Sequence, residues 1–262
     1  MADKVLPLPR RRRVDVLRLA PSGRSLLVGL ALVLVAVGLY GLARETSMFA
    51  VDAIRVGGAS GPVTAIVQHE LRRYEGRSLV GLDASRIEQR VDALPAVRSA
   101  TVDRSFPHTL TIRVVPELPV AVVRRGSDSF LVSARGRVIA PVGRGTYRAL
   151  PRIWLPSTTD IELGSFLGGE DGGLAARSLA TFVGSGFPGR VTFVRALDGQ
   201  ITLGLRGGLE IHLGAPVDLR VKIAIAHAIV PTLARPSAGG PTYLDIAVPE
   251  RPVAGRNPQP GG

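Results

Sequence analysis

The hydrophobic pattern of this chain changes period three times, and each change marks a unit. Residues 25–43, between Arg24 and Arg44, form a run of nineteen without a charge, including seven Leu and four Val. As a helix this run spans about 28 Å, close to the hydrocarbon thickness of a bilayer. Its Leu and Val side chains favour insertion by roughly 3 to 7 kcal/mol before the glycines are discounted. The pattern predicts a transmembrane helix over 25–43.

Residues 48–116 read as strand, helix, helix, strand, strand. The β-rich stretch 49–56 stops at Gly57-Gly58. Val63, Ile66, Val67 and Leu71 recur at helical spacing behind Pro62, which suits a first helical turn. Ser85 to Glu88 has capping-box spacing and opens a short helix carrying Ile87, Val91 and Leu94, stopped by Pro95. Two strands follow, 97–106 and 109–115, the second placing Leu110, Ile112 and Val114 on one face. Two helices over one face of a three-stranded sheet leave that sheet with an open edge.

From Glu117 the period is mainly two. Strands are predicted at 119–124, 130–139 (folded at Arg135-Gly136), 153–155, 191–197, 200–205 and 209–213, with a tight turn at Asp198-Gly199. Helices are predicted over 174–183 and 217–234, the latter broken at Pro231, and a final strand over 243–248. The Pro/Gly-rich end, 251–262, reads as a disordered tail. The fold class is therefore α+β: one N-terminal transmembrane helix, a βααββ domain over 48–116, and a mainly antiparallel β domain with two helices over 117–250.

Charge fixes an expected orientation. Residues 1–24 hold seven basic side chains against Asp3 and Asp15, whereas Arg44 beyond the span is followed at once by Glu45. Lys and Arg gather on the cytoplasmic side, so the arm 1–24 is expected inside and some 219 residues outside, a single-pass type II arrangement in the cell membrane. The rival reading is a cleaved signal peptide, with Gly41 and Ala43 at the cleavage site, although such segments usually have shorter apolar and basic regions. The net charge of +12 raises nucleic acid as a partner. Arg10, Arg11, Arg12 and Arg13 have no interleaved aromatics for base stacking, and they read instead as topology signals in contact with anionic lipid.

Candidate chemistry is sparse. The chain has no cysteine, hence no disulfide and no thiolate metal site. His69, His108, His212 and His227 are scattered, no His-Glu-x-x-His pair occurs, and no Gly-x-Ser-x-Gly elbow is present. The glycine cluster 168–173 lacks a Lys-Ser/Thr partner and carries Glu170-Asp171, which would repel phosphate. The expectation is a protein that is not an enzyme and takes no cofactor or metal.

The ordered set of motifs resembles the FtsQ/DivIB family of bacterial division proteins. It comprises Phe49, Val51, Ile54, Val56 and Gly57; Leu79, Leu82 and Asp83; Leu94-Pro95-Ala96-Val97; Phe106-Pro107; Pro119-Val120-Ala121; Gly136-Arg137-Val138; Leu150-Pro151; and Tyr243-Leu244-Asp245-Ile246-Ala247-Val248. Pro116 stands where the family usually has Glu, with Glu117 one residue later, and Ser133 stands where Asp is common. The resemblance implies a POTRA domain over 48–116, an FtsQ-type β domain after it, and a non-catalytic scaffold of the divisome at the septum. It implies recruitment of FtsB/FtsL-like single-span proteins, with FtsK or FtsW/FtsI-like proteins as further partners. The family's contact through its last strand maps to Tyr243, Leu244, Asp245, Ile246, Ala247 and Val248. A second docking edge is expected at Val97, Arg98, Ala100, Val102 and Arg104. The alternative is a POTRA-bearing, chaperone-like module that handles exported polypeptides.

Overall fold

The computed structural model describes residues 23–45, 47–182 and 186–256. Helix α1 (Gly23–Glu45) contains the apolar run and exposes its Leu and Val side chains on every side, as expected of a helix whose solvent is lipid. The arm with Arg10 to Arg13 lies outside the described residues.

The first globular unit contains β1 (Ala53–Gly57), α2 (Gly61–Leu71), α3 (Ala84–Asp92), β2 (Val97–Ser105) and β3 (Thr109–Pro116). The sheet order is β1-β3-β2, with β1 parallel and β2 antiparallel to β3. Leu110, Ile112 and Val114 of β3 pack against Val67 and Leu71 of α2 and Ile87 and Val91 of α3 in one buried core. The start of α3 differs from the capping-box reading. Asp83, not Ser85, caps the helix by accepting from the Arg86 amide, and Glu88 turns away to accept from the Val102 amide of β2 at 2.8 Å.

The second unit is a nine-stranded sheet, β12-β11-β10-β9-β8-β7-β4-β5-β6. Its strands are β4 (Pro119–Arg125), β5 (Asp128–Ser133), β6 (Val138–Pro141), β7 (Arg152–Leu155), β8 (Val191–Leu197), β9 (Gln200–Leu205), β10 (Glu210–Gly214), β11 (Tyr243–Asp245) and β12 (Val253–Gly255). Neighbours are antiparallel except β4 with β7, β7 with β8, and β10 with β11. Helices α4 (Leu174–Ala180) and α5 (Leu219–Ile229) cover one face, burying Val123, Ile153, Val194, Leu203, Ile211 and Leu244. The residue expected to end the first of these helices, Val183, lies outside the described residues. α5 stops short of Pro231, which has no amide to continue the ladder. Lys222 on α5 is buried and donates to the Leu213 and Ala215 carbonyls at 2.8 and 2.9 Å, fastening the helix to the end of β10.

One arginine joins the two units. Arg137, just ahead of β6, is buried and directs its guanidinium at four backbone carbonyls. Nε donates to Gly164 (3.0 Å) within the β domain, Nη1 to Val97 (2.6 Å), and Nη2 to Asp92 and Ala93 (3.1 and 3.3 Å) at the C-terminal end of α3. Those last carbonyls have no intrahelical partner, and the negative end of the helix dipole favours a cation there. Buried Glu117, which follows β3, pairs with Arg135, and its amide bonds the Ala96 carbonyl at 2.9 Å. Ser133, in the place where the family often has Asp, accepts from the amides of Arg135 and Arg137 and so closes the same turn. Both departures from the family pattern thus keep an acceptor where the joint needs one. Arg137→Met, which keeps the stem but loses the donors, is expected to cost about 3 kcal/mol, because buried carbonyls lose their partners. Denaturant unfolding of the full chain in micelles should show the lowered midpoint, and a midpoint equal to wild type would refute the joint.

Candidate partner-binding edge

A sheet edge presents unpaired N–H and C=O groups, and of the four edge strands of this molecule β2 and β6 are partly occupied by the protein itself. On β2, the outward amide of Ala100 donates to Asp92 Oδ1 (2.6 Å) and that of Val102 to Glu88 Oε1 (2.8 Å), both from α3. The Arg104 side chain is drawn back to the Leu82 carbonyl at 3.3 Å. Of the expected second docking edge, Val97 is buried and its carbonyl serves Arg137, Ala100 is buried, and Arg98 and Arg104 are exposed. An incoming strand would therefore have to displace two carboxylates. On β6, segment 164–167 covers the start of the strand: the Gly164 amide donates to the Val138 carbonyl and the Val138 amide to the Ser165 carbonyl.

The other end of the large sheet is built differently. The bonds Glu210 N to Thr242 O and Ile246 N to His212 O turn the Leu244 peptide of β11 toward β10, while the Thr242 amide ahead of the strand reaches the Gly255 carbonyl at 2.8 Å. Tyr243 and Asp245 therefore face β12, in register with Gly255 and Val253. Ala254, lying between these two, points its own N–H and C=O away from the sheet. Pro252 precedes β12, a position an edge strand tolerates. Beyond it, Arg256 pins the strand by donating from Nε to the Gly240 carbonyl (2.8 Å) and from Nη2 to the Pro236 carbonyl (3.0 Å).

Two sequence expectations change here. The strand expected over 243–248 ends at Asp245, beyond which only the Ile246 amide still bonds β10; the Asp245 carboxylate accepts from the Ala247 amide at 2.9 Å and turns the chain. Leu244 and Ile246 are core residues, Tyr243, Asp245 and Ala247 are half-buried, and Val248 is exposed in the turn. The tail expected to be disordered from 251 includes β12, which covers β11 and takes its place as the outermost strand; residues 257–262 lie outside the described residues. Three residues are too few to show a period, so only the short Val253-Ala254-Gly255 run between Pro252 and Arg256 marks the strand in sequence.

On the face away from the helices, the Tyr243 ring stacks on His212, 5.5 Å between centroids and 7° apart, and lies over Gly255. A Cβ on Gly255 would sit 2.5 Å from the Tyr243 hydroxyl, so any larger residue there must displace the ring. Farther along this face, Gly204 leaves room for the Phe193 ring, which meets exposed Trp154 edge-on at 5.9 Å. Among the described residues, no group of three or more His, Asp or Glu side chains is gathered to hold a metal.

Residues 49–115 match the POTRA domain of FtsQ type. A cell division protein FtsQ from Streptomyces venezuelae is 30% identical over 244 residues, covering 89% of this chain and 84% of that protein. The chain belongs to the FtsQ family of cell division proteins. A Streptomyces coelicolor FtsQ is 27% identical over 79% of each chain, and one from Rhizobium meliloti is 28% identical over 56% of this chain and 53% of its own. The apolar α1 on an FtsQ-family chain fits a membrane-anchored division protein.

Gly255→Val is expected to push the Tyr243 ring off His212 and release β12, at about 1–3 kcal/mol. Hydrogen exchange should show lost protection at the Tyr243 and Asp245 amides while Leu203 and Ile211 stay protected; unchanged protection at 243 and 245 would overturn this account of the edge.

Proposed function

We propose that this protein is a scaffold of the bacterial divisome, held by α1 with its N-terminal arm in the cytoplasm, that recruits FtsB/FtsL-like single-span proteins at the septum by strand addition to β12. The observation that carries the reading is the outward peptide of Ala254 at a sheet end, when the outward amides of Ala100 and Val102 on β2 and the Val138 peptide on β6 are already bonded within the protein. A partner strand laid on β12 would gain main-chain bonds at Ala254 and Arg256 and side-chain contact with exposed Val253. The partner surface expected at Tyr243 to Val248 then becomes a support: Tyr243 and Leu244 hold β12 in place, and Val248 flanks it.

The open edge of β1 is a less favourable platform. The chain from the end of α1 to Ala53 spans at most about 25 Å even when extended, so an added strand there would compete for space with lipid headgroups.

Proline at 254 removes the outward N–H and spares the inner bonds of Val253 and Gly255. Ala254→Pro is expected to keep the domain folded, as judged by circular dichroism and an unchanged melting temperature. Co-purification of the FtsB/FtsL-like partner should fall at least tenfold, and cells carrying only this variant should become filamentous. Full partner recovery with the folded variant would dismiss strand addition at β12. The double variant Glu88→Gln with Asp92→Asn, which changes the carboxylates on β2, should leave recruitment intact; its loss there would move the docking edge to the POTRA domain.

A further inference from the structure

The helix-free face of the large sheet carries a concentration of guanidinium groups that the scaffold reading does not use. β4 and β7 run side by side with Val122 opposite Arg152 and Arg124 opposite Trp154. Loop 143–150 folds over them. Together they enclose a cavity of about 160 Å³ lined by Arg124, Arg144, Arg152, Val122, Ser129 and the loop backbone at 143–146.

The three arginines have different duties. Arg152 is committed to the loop, donating to the carbonyls of Thr146 (2.9 Å), Tyr147 (3.2 Å) and Leu150 (3.3 Å). Arg144 spends only Nε, on the Ser127 carbonyl at 3.1 Å. The Arg124 side chain makes neither a hydrogen bond nor an ion pair with any described residue. The nearest carboxylate along β5, Asp128, is already engaged by Arg125 and Ser127. Burial first, then the charges of Arg124 and Arg190, hold the Arg152 guanidinium below its ordinary value, so the cluster is electrostatically uncompensated.

Ser129 supplies an independent sign. It is more than nine-tenths buried, it lines the cavity, and its hydroxyl has no hydrogen-bond partner among the described residues. Among the described residues no side-chain polar atom fully sealed from solvent lacks a partner, so this hydroxyl keeps access to solvent, and the cavity is the opening its residue lines. A free donor, two guanidinium groups with donors to spare and a glycine-rich loop make a cradle for an oxyanion, since planar Arg forks match phosphate oxygens.

We propose that the cavity beneath loop 143–150 binds a phosphate group, with Arg124 and Arg144 as charged clamps, Ser129 as a hydroxyl donor and Arg152 holding the loop in place. The group could be carried by a phospholipid headgroup or by soluble phosphate, and the two sources are separable. The full chain, in nanodiscs of zwitterionic lipid, is melted with rising inorganic phosphate at constant ionic strength set by sodium chloride. A saturable rise of a few degrees is expected, since a ligand bound only by the folded state stabilises it by mass action. Arg124→Gln, at a side chain with no protein partner, should fold as wild type and weaken the half-saturating concentration at least fivefold; Ser129→Ala should do the same to a lesser degree. In the second arm, vesicles containing phosphatidylglycerol, compared with phosphatidylcholine alone, are tested for co-sedimentation, and only the part lost in Arg124→Gln counts. A response to inorganic phosphate assigns a soluble ligand, and an Arg124-dependent response only to the anionic vesicles assigns the headgroup. No Arg124-dependent response in either arm overturns the site.

Discussion

A β-sheet must dispose of its edges, and in this molecule that requirement decides what is available for contact. Water satisfies an edge peptide adequately, but an exposed row of such peptides is also a template for any passing strand. The protein closes its edges by different devices: carboxylates from α3 on the Ala100 and Val102 amides of β2, and the backbone of 164–167 along β6. β12 receives neither. Its partner on the inner side is β11, and nothing described lies on its outer side. Burying hydrophobic area would have been equally well served by closing every edge, so the economy of the core does not explain why the β12 and β1 edges are left.

The joint between the two units gives that edge a defined position relative to the POTRA domain. A guanidinium is suited to the task because its donors lie in one plane and diverge, reaching carbonyls that belong to separate segments. Arg137 uses this geometry to tie the end of α3 and the start of β2 to the 164 turn. The four acceptors are backbone atoms, so the joint tolerates sequence change around it better than an ion pair would. Orientation of the β domain is thereby coupled to the POTRA domain, which itself follows α1 closely in the chain.

Charge is distributed unevenly over the open sheet face. Glu210, His212, Tyr243 and Asp245 lie toward β12, whereas Arg124, Arg152 and Arg195 lie on β4, β7 and β8 beside Trp154 and Phe193. Opposite helices α4 and α5 there is thus a face with an acidic, aromatic end and a basic, aromatic middle.

The amino-acid sequence by itself determined everything that follows from local period and length. The apolar run of nineteen has the length and composition of a membrane-crossing helix, and the alternation of Leu110, Ile112 and Val114 already names the inward face of β3. The POTRA element order and both β-domain helices were legible for the same reason. Tertiary structure alone decided matters that depend on residues far apart in the chain. Glu88 has the spacing of a capping box and instead serves β2, because the strand amide competes successfully once α3 packs beside it. β12 is too short to carry a period and exists only because β11 and Arg256 hold it. Arg124, Arg144 and Arg152 read as unrelated surface charges until loop 143–150 and two parallel strands bring them around one cavity. Local pattern reports which face is apolar; which backbone groups remain unpaired, and which charges are neighbours, is known only after the chain has closed on itself.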